Sequence, residues 1–201
     1  MKKFLLSLPI ERPQRTRKAL EHLRDMGVDD VRIIQGLDAD VSGLVTKHPY
    51  EVDNPGSGFN MGGKPVGIFL AHYMAWTVIK AMNLPMALIM EDDVKFQDDW
   101  KDRMRYGLED APKDWDVIFF GSCDTGGHRS RFIEGNIHEV WYPQCLHCYA
   151  VRDKAIGYMI ATQRKIYGPM DCTLIFHTWP ALKVYTLLPR LADQFDTVIS
   201  V

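Results

Sequence analysis

The 201-residue chain has no apolar run near the ~18 residues a membrane-spanning helix requires, and no G-x-x-x-x-G-K-[ST] loop to cradle nucleotide phosphates. Neither a membrane span nor a P-loop enzyme is expected. A charge excess is also missing: 24 Lys+Arg against 26 Asp+Glu give a net charge of −2, which argues against a nucleic-acid-binding face or a nucleic-acid acceptor. Internal repeats and low-complexity tracts are absent. After Met1-Lys2-Lys3 the apolar run stops by Pro9, too soon for the apolar region of a secretion signal, and no small-residue cleavage site follows. A cytoplasmic protein is expected. Cysteine is scarce, with Cys123, Cys145, Cys148 and Cys172 only, and in the cytoplasm all four are expected to be reduced. Cys145-Leu146-His147-Cys148 contains C-x-x-C, which Cys172 and His177 would complete as a zinc site. A second close pair is missing, so buried thiols on a strand are the expectation.

The composition, 46% hydrophobic and 25% charged, is that of an ordinary globular domain. A chain of this length buries roughly 70% of its unfolded surface, so one core without staples suffices, and a single domain over 1–201 is expected. Short apolar runs alternate with longer amphipathic segments, the pattern of an α/β fold. Strands are predicted at 4–8, 31–35, 86–90, 117–120, 137–141, 148–151 and 182–187. Helices are predicted at 13–26, with Pro13 near its start and Gly27 past its end, and at 65–82, 98–108, 154–164 and 170–177. The strongest is 65–82, where Val66, Phe69, Leu70, Tyr73, Trp76 and Lys80 recur at helical spacing. Residues 40–64 read as loop, 121–130 as a glycine-rich loop suited to a lid, and 191–201 as a polar tail that returns over the site.

The run Met86-Ala87-Leu88-Ile89-Met90 is short and apolar enough to be a central strand buried on both faces. It stops at Glu91-Asp92-Asp93. Three adjacent carboxylates repel one another unless something positive compensates them, and a divalent cation with oxygen ligands is a natural partner. Carboxyl ends of strands are also where open α/β sheets bind ligands. The plain alternative is a solvated acidic turn.

Several motifs together bear a family resemblance. Phe4-Leu5-Leu6-Ser7-Leu8-Pro9 with Arg12-Pro13-x-Arg15, then Gly67-x-x-x-Ala71-His72-x-x-x-Trp76, resemble the opening strand and aromatic helix of glycosyltransferase family 25. Ala87 to Val94 is similar to its strand plus E-D-D-V motif, and Trp115-Asp116-Val117-Ile118-Phe119-Phe120-Gly121 to its W-D strand. Tyr149-Ala150-Val151 with Ala155, Gly168-Pro169-Met170-Asp171, and Asp196-Thr197 with Ser200 resemble later elements of the family in the same order. Ala71, Ser7 and Phe195 depart from its usual Ser, Asn and Ser.

The resemblance implies a GT-A-like, Rossmann-type single domain with a mostly parallel central sheet flanked by helices. It further implies a metal-dependent inverting transferase that moves a hexose, galactose-type, from a nucleotide-sugar donor, commonly a UDP-sugar, to a hydroxyl acceptor such as a glycan. Mn²⁺ or Mg²⁺ is the implied cofactor. Asp93 is then the preferred metal ligand, with Glu91 and Asp196 as further ligands, and Glu91 or Asp92 reaching the ribose or a metal-bound water. Leu8, Pro9, Arg12, Arg15, Asp38 and His72 fall at donor-binding positions. Inversion requires a base opposite the leaving group, for which Asp171 is the candidate and Asp193 the fallback.

Each of these residues also has a plain structural reading. Asp171 suits a helix N-cap, Arg12 and Arg15 a surface first turn, His72 a satisfied core position and Asp38 an Asx-turn. Trp141, Tyr142 and His147 suit either a shallow acceptor surface or packing. Competing functions are a metal-dependent phosphoester hydrolase or phosphotransferase, for which no second acidic motif is evident, and an inactive nucleotide-sugar-binding relative.

Overall fold

The computed structural model describes residues 1–38, 63–123, 130–164, 166 and 168–195. In chain order these form β1 (Lys2–Ser7), α1 (Pro13–Asp25), β2 (Val31–Gln35), α2 (Gly63–Ala81), β3 (Met86–Glu91), β4 (Val94–Phe96), α3 (Trp100–Asp110) and β5 (Val117–Gly121). There follow β6 (Ser130–Glu134), β7 (Ile137–Val140), β8 (Cys148–Arg152), α4 (Asp153–Thr162), α5 (Met170–His177), β9 (Val184–Leu187) and β10 (Ala192–Gln194).

Eight strands build one sheet in the order β2-β1-β3-β8-β5-β9-β7-β6, and β10 pairs with β4 beside it. β2, β1 and β3 pair in parallel, as do β5 and β9, while β8 runs antiparallel to both β3 and β5, and β7 antiparallel to β9 and β6. Only β8 and β7 therefore oppose the common strand direction. The fold is the expected α/β sheet, mostly parallel and flanked by helices.

Side-chain alternation splits the apolar strands between two cores. Phe4, Leu6, Ile89, Phe119 and Tyr149 face α2, α4 and α5, while Leu5, Leu88, Met90, Ile118 and Phe120 face α1 and α3. This two-sided burial is why β3 and β5 read as unbroken apolar runs. α2 presents Val66, Phe69, Leu70, His72, Trp76 and Ile79 to the first core. Lys80 falls off that stripe and is exposed, where it pairs with Asp153 at 2.8 Å. α1 stops in a left-handed Gly27 (φ +66°), whose N–H bonds the Arg24 carbonyl while Val28 N–H bonds that of Leu23. A Cβ there would be strained, which is the reason for glycine.

The short strands β4, β6 and β10 were not predicted. Each spans three to five residues and carries polar or exposed side chains, so periodicity gives little signal. The expectation of four reduced thiols is overturned. Cys123 and Cys145 form a disulfide, with Cα atoms 5.5 Å apart, while Cys148 and Cys172 are free. The pairing joins the end of β5 to the approach to β8, which no spacing in the sequence announces. Among the described residues no helix is long and apolar enough to cross a membrane.

Candidate active site

Three parallel strands end side by side, and their carboxyl ends open onto one cavity of about 370 Å³. Register sets Leu6 of β1 beside Glu91 of β3, and Ser7 beside Gln35 of β2. Leu8, Leu37, Ile68 and Ala71 supply apolar wall, and Ser7, Arg12, Arg15, Asp38, Lys64, His72, Glu91, Asp92, Asp93 and Gln194 the polar groups. Pro9 turns the chain just behind Leu8 and does not line it.

The three carboxylates have different surroundings. Asp92 accepts from Arg15 Nε at 2.5 Å and from the Ser7 hydroxyl at 2.6 Å. Because the single hydrogen of Ser7 goes to Asp92, the Thr16 hydroxyl 2.6 Å away donates to Ser7 Oγ. β1, α1 and β3 are thus tied by one chain of short bonds. Arg15 enters from the first turn of α1, which Pro13 starts at a position where no backbone N–H is needed. Arg12 lies on the same turn and reaches Asp38 at 3.2 Å.

Glu91 accepts from His72 at 3.0 Å. On the other side of the ring, His72 Nδ1 lies 3.0 Å from the Tyr149 hydroxyl, which accepts from Trp76 Nε1 at 2.9 Å. Trp can only donate, so the arrangement that uses every hydrogen runs one way: Trp76 to Tyr149, Tyr149 to His72 Nδ1, and His72 Nε2–H to Glu91. Burial pushes the Tyr149 phenol well up, so it stays a donor. At Glu91 burial opposes ionisation, but the hydrogen bond from His72, with the field of Arg15 adding, holds the carboxyl below its ordinary value. Its charge is therefore available to the cavity.

Asp93 is the exception. Its Oδ2 accepts from Arg15 at 3.2 Å and Gln194 at 3.0 Å, while buried Oδ1 has no partner among the described residues. Burial, then repulsion from Glu91, pushes its carboxyl up to about 6 against the pull of Arg15. A buried carboxylate oxygen without a donor is costly unless a cation or proton meets it. The donor set here is all hard oxygen and fits Mn²⁺ or Mg²⁺.

The tail closes this end. β10 pairs antiparallel with β4, and Phe195 N–H bonds the Asp93 carbonyl at 2.8 Å. Asp196 lies outside the described residues, as do 39–62 and 124–129, most of the two stretches expected to be loops. Gln194 faces Asp93, whereas its neighbour Asp193 accepts from Gln97 at 2.7 Å, approaches Arg190 at 3.7 Å and does not line the cavity.

Asp171 sits at the second position of α5 and is not its N-cap, which is Pro169. Its two oxygens accept the backbone N–H groups of Cys172 at 2.8 Å and Cys145 at 3.2 Å. It does not line the cavity either, but two residues beyond Cys145 the His147 carbonyl accepts Glu91 N–H at 3.0 Å. Asp171 and the acidic cluster therefore brace the same short segment. Trp141 and Tyr142 are exposed, while His147 is buried and forms no part of a surface.

Sequence reasoning did not single out Ser7, Gln194, Thr16 or Tyr149 as site residues. Ser7 was visible only as a member of the opening motif that departs from the family's usual Asn, and Gln194 carried no signal. Their partners lie 85 and 101 residues away in sequence.

The model for Glycosyltransferase family 25 (LPS biosynthesis protein) matches residues 1–138. A Rattus norvegicus protein named probable inactive glycosyltransferase 25 family member 3 is 30% identical over 142 residues, 66% of this chain and 24% of its own length. Procollagen galactosyltransferase 1-A of Xenopus laevis is 34% identical over 84 residues, 40% of this chain and 14% of that one. The chain thus spans about a quarter or less of these relatives. Among solved structures, a glycosyltransferase involved in glycosylation of the major capsid of PBCV-1 superposes with a TM-score of 0.51 at 9% identity, covering 92% of this chain and 81% of that one. That likeness speaks to the fold. The family match runs from β1 through the acidic cluster into β7 and takes in every residue that lines the cavity except Gln194, and the chain belongs to glycosyltransferase family 25.

Proposed function

We propose that the chain is a metal-dependent, inverting hexosyltransferase that moves a galactose-type sugar from a UDP-sugar to a hydroxyl of a glycan. The observation that carries this reading is that the motif residues Ser7, Arg12, Arg15, His72, Glu91, Asp92 and Asp93 converge on one cavity at the carboxyl ends of β1, β2 and β3. Its size and mixed apolar and polar lining suit a nucleotide-sized ligand. Arg12 and Arg15, on the first turn of α1, are placed for a diphosphate, where guanidinium forks and a helix N-terminus both favour anions. Asp38 and the charged Glu91 are acceptors for ribose hydroxyls, and Leu8, Leu37 and Ile68 give an apolar face for the base.

Asp93, with Glu91, would hold Mn²⁺ or Mg²⁺, and the bare Oδ1 of Asp93 is the feature that fits such an ion. The bound ion neutralises charge on the departing diphosphate. His72, held by Tyr149 and Trp76, orients Glu91 and shields it from the core. Asp171 is the proposed base: two backbone N–H bonds fix its carboxylate beside the segment that also braces Glu91, and it would take the hydroxyl proton during a single displacement. Asp193, held by Gln97 on the other face of β10, is the weaker candidate.

A second reading is favoured by two observations. A matched relative is named inactive, and Arg15 here already binds both Asp92 and Asp93. In that reading the cavity binds a nucleotide sugar without turning it over. A cytoplasmic site of action is the sequence's expectation, and the Cys123–Cys145 disulfide favours an oxidising compartment instead.

One experiment separates these readings. Thermal unfolding is followed with UDP, UDP-galactose and other nucleotide sugars, with and without Mn²⁺, and UDP release is assayed in parallel. A ligand at 100 times its Kd adds about 2.7 kcal/mol of stability. Metal-dependent stabilisation with UDP release supports the transferase, stabilisation without release the binding relative, and no response to any nucleotide sinks both.

A further inference from the structure

A second group of ligand-type side chains meets where the chain enters β8. The sulfurs of Cys123 and Cys145 and an imidazole nitrogen of His147 all lie within 4.8 Å of one another. His147 is only 1% exposed. Its Nε2 lies 3.2 Å from the carbonyl oxygen of Ala192, and a carbonyl only accepts, so Nε2 carries the hydrogen. Nδ1 then bears a lone pair, and it is buried with no partner among the described residues. One ring nitrogen anchored by its hydrogen on a backbone carbonyl and the other left bare is the arrangement of a metal-ligating histidine. Gly121 makes room for it, since a Cβ there would run into the imidazole.

We propose that Cys123, Cys145 and His147 form a redox-gated binding site for a soft divalent cation, Zn²⁺ by the chemistry of two thiolates and an imidazole. In the oxidised form the two sulfurs are joined to each other. A dithiol reductant breaks that bond, supplying two electrons and two protons and becoming a disulfide itself. Zn²⁺ then displaces the two thiol protons to solvent and takes both sulfurs and an imidazole nitrogen of His147, leaving one tetrahedral position for water.

The site differs from the carboxylate cluster in ligand softness and in residues, and it does not depend on the transferase reading. It also replaces the zinc set suggested by the C-x-x-C pattern. Cys148 lies in the sheet core, where burial pushes its thiol well up, and neither it nor Cys172 belongs to the cluster. Gln194 stands between the two sites. Its Nε2 donates to Asp93 while its Oε1 lies 3.4 Å from Cys123 Sγ, a contact that becomes an S–H···O bond on reduction.

The test titrates Co²⁺ into the full chain under anaerobic conditions, once reduced by a phosphine that is then removed and once as the disulfide, with Zn²⁺ as competitor. Sulfur ligation gives a thiolate-to-cobalt charge-transfer band in the near ultraviolet, which carboxylate-bound cobalt does not. The expected result is a band that saturates at one equivalent in the reduced chain only and is erased by Zn²⁺. Cys123→Ser, at an exposed position, removes the band, Cys172→Ser keeps it, and His147→Gln weakens Co²⁺ binding at least about tenfold. No band in the reduced wild type, the same band in the disulfide form, or a band that survives Cys123→Ser overturns the proposal. So does unchanged affinity in a folded His147→Gln.

Discussion

Two neighbouring edges of the sheet are finished in opposite ways. At the ends of β1 and β3 nearly every polar side chain is held by another side chain: Ser7 and Arg15 on Asp92, His72 on Glu91, Gln194 on Asp93. At the entry to β8 backbone does most of the holding, with two N–H groups on Asp171 and one carbonyl on His147, and one imidazole nitrogen has no partner among the described residues. Side-chain networks fix geometry before a ligand arrives, which suits a donor that is bound the same way each cycle. Backbone anchoring fixes position but leaves lone pairs free, which suits groups that must take up a proton or a metal. Asp93 Oδ1 is the one place where the second style occurs inside the first.

That exception gives the largest expected effect. Asp93→Asn removes the charge that the bare oxygen brings to the cavity, and we expect complete loss of the Mn²⁺-dependent part of nucleotide binding, read by thermal shift. Nucleotide stabilisation that remains as metal-dependent as in the wild type would remove Asp93 from the metal site. On the other edge, Asp171→Asn should leave that thermal shift intact and lower turnover by about 10²–10⁴-fold, the range for loss of a general base. If donor binding failed and turnover per bound donor did not, the two edges would have exchanged roles.

pH acts on the same contrast more gently. The Asp93 carboxyl lies at about 6, above its unfolded value of ~3.9, so the folded chain holds this proton more tightly. This group's contribution to stability is therefore full below pH ~4 and is lost as pH rises through about 6. Metal binding needs the ionised form, so apparent Mn²⁺ affinity should fall about tenfold per pH unit below 6 and level off above it. Melting temperatures at pH 5 and 7 should respond oppositely with and without saturating Mn²⁺. Equal Mn²⁺ affinity at both values would show that this carboxyl is not displacing a proton.

Much of the first edge was legible in the sequence, and little of the second. β3 could be read because burial on both faces leaves an unbroken apolar run, and its abrupt end at Glu91 placed the charges at a strand terminus. The long α2 could be read from its stripe, which put His72 on the core side. What joins these parts is long-range. Ser7 is a serine like any other until the sheet register lays β1 beside β3, and Gln194 acquires a role only because the three-residue β10 pairs with β4. The Cys123–Cys145 pairing depends on how β5 and β8 align, and the expectation of a cytoplasmic protein pointed toward free thiols.

Arg15 links the saturated edge to its exception, since one guanidinium binds both Asp92 and Asp93. Arg15→Ala should lower stability by about 1–2 kcal/mol, a modest loss because the side chain is partly exposed. The more telling readout is the response to metal. With the arginine gone, Mn²⁺ is the remaining compensation for Asp92 and Asp93, so its stabilising shift should exceed that in the wild type. A smaller shift would mean that Arg15 assists the metal rather than standing in for it.

The smallest effect on ligand binding tests whether the side-chain network is needed for more than packing. Tyr149→Phe keeps the ring in the core and removes only the hydroxyl between His72 and Trp76. Two buried nitrogens lose their partner, at a cost of about 1–3 kcal/mol. If the hydroxyl's work is to donate to Nδ1 and so keep the hydrogen of His72 on Nε2, facing Glu91, its loss frees the ring to change tautomer and weakens the bond that holds Glu91 ionised. Nucleotide affinity should then fall severalfold, and more steeply for a ribose-bearing ligand than for diphosphate alone. A variant that loses stability while both ligands bind as before would confine Tyr149 to the core, and Glu91 would owe its position to β3 alone.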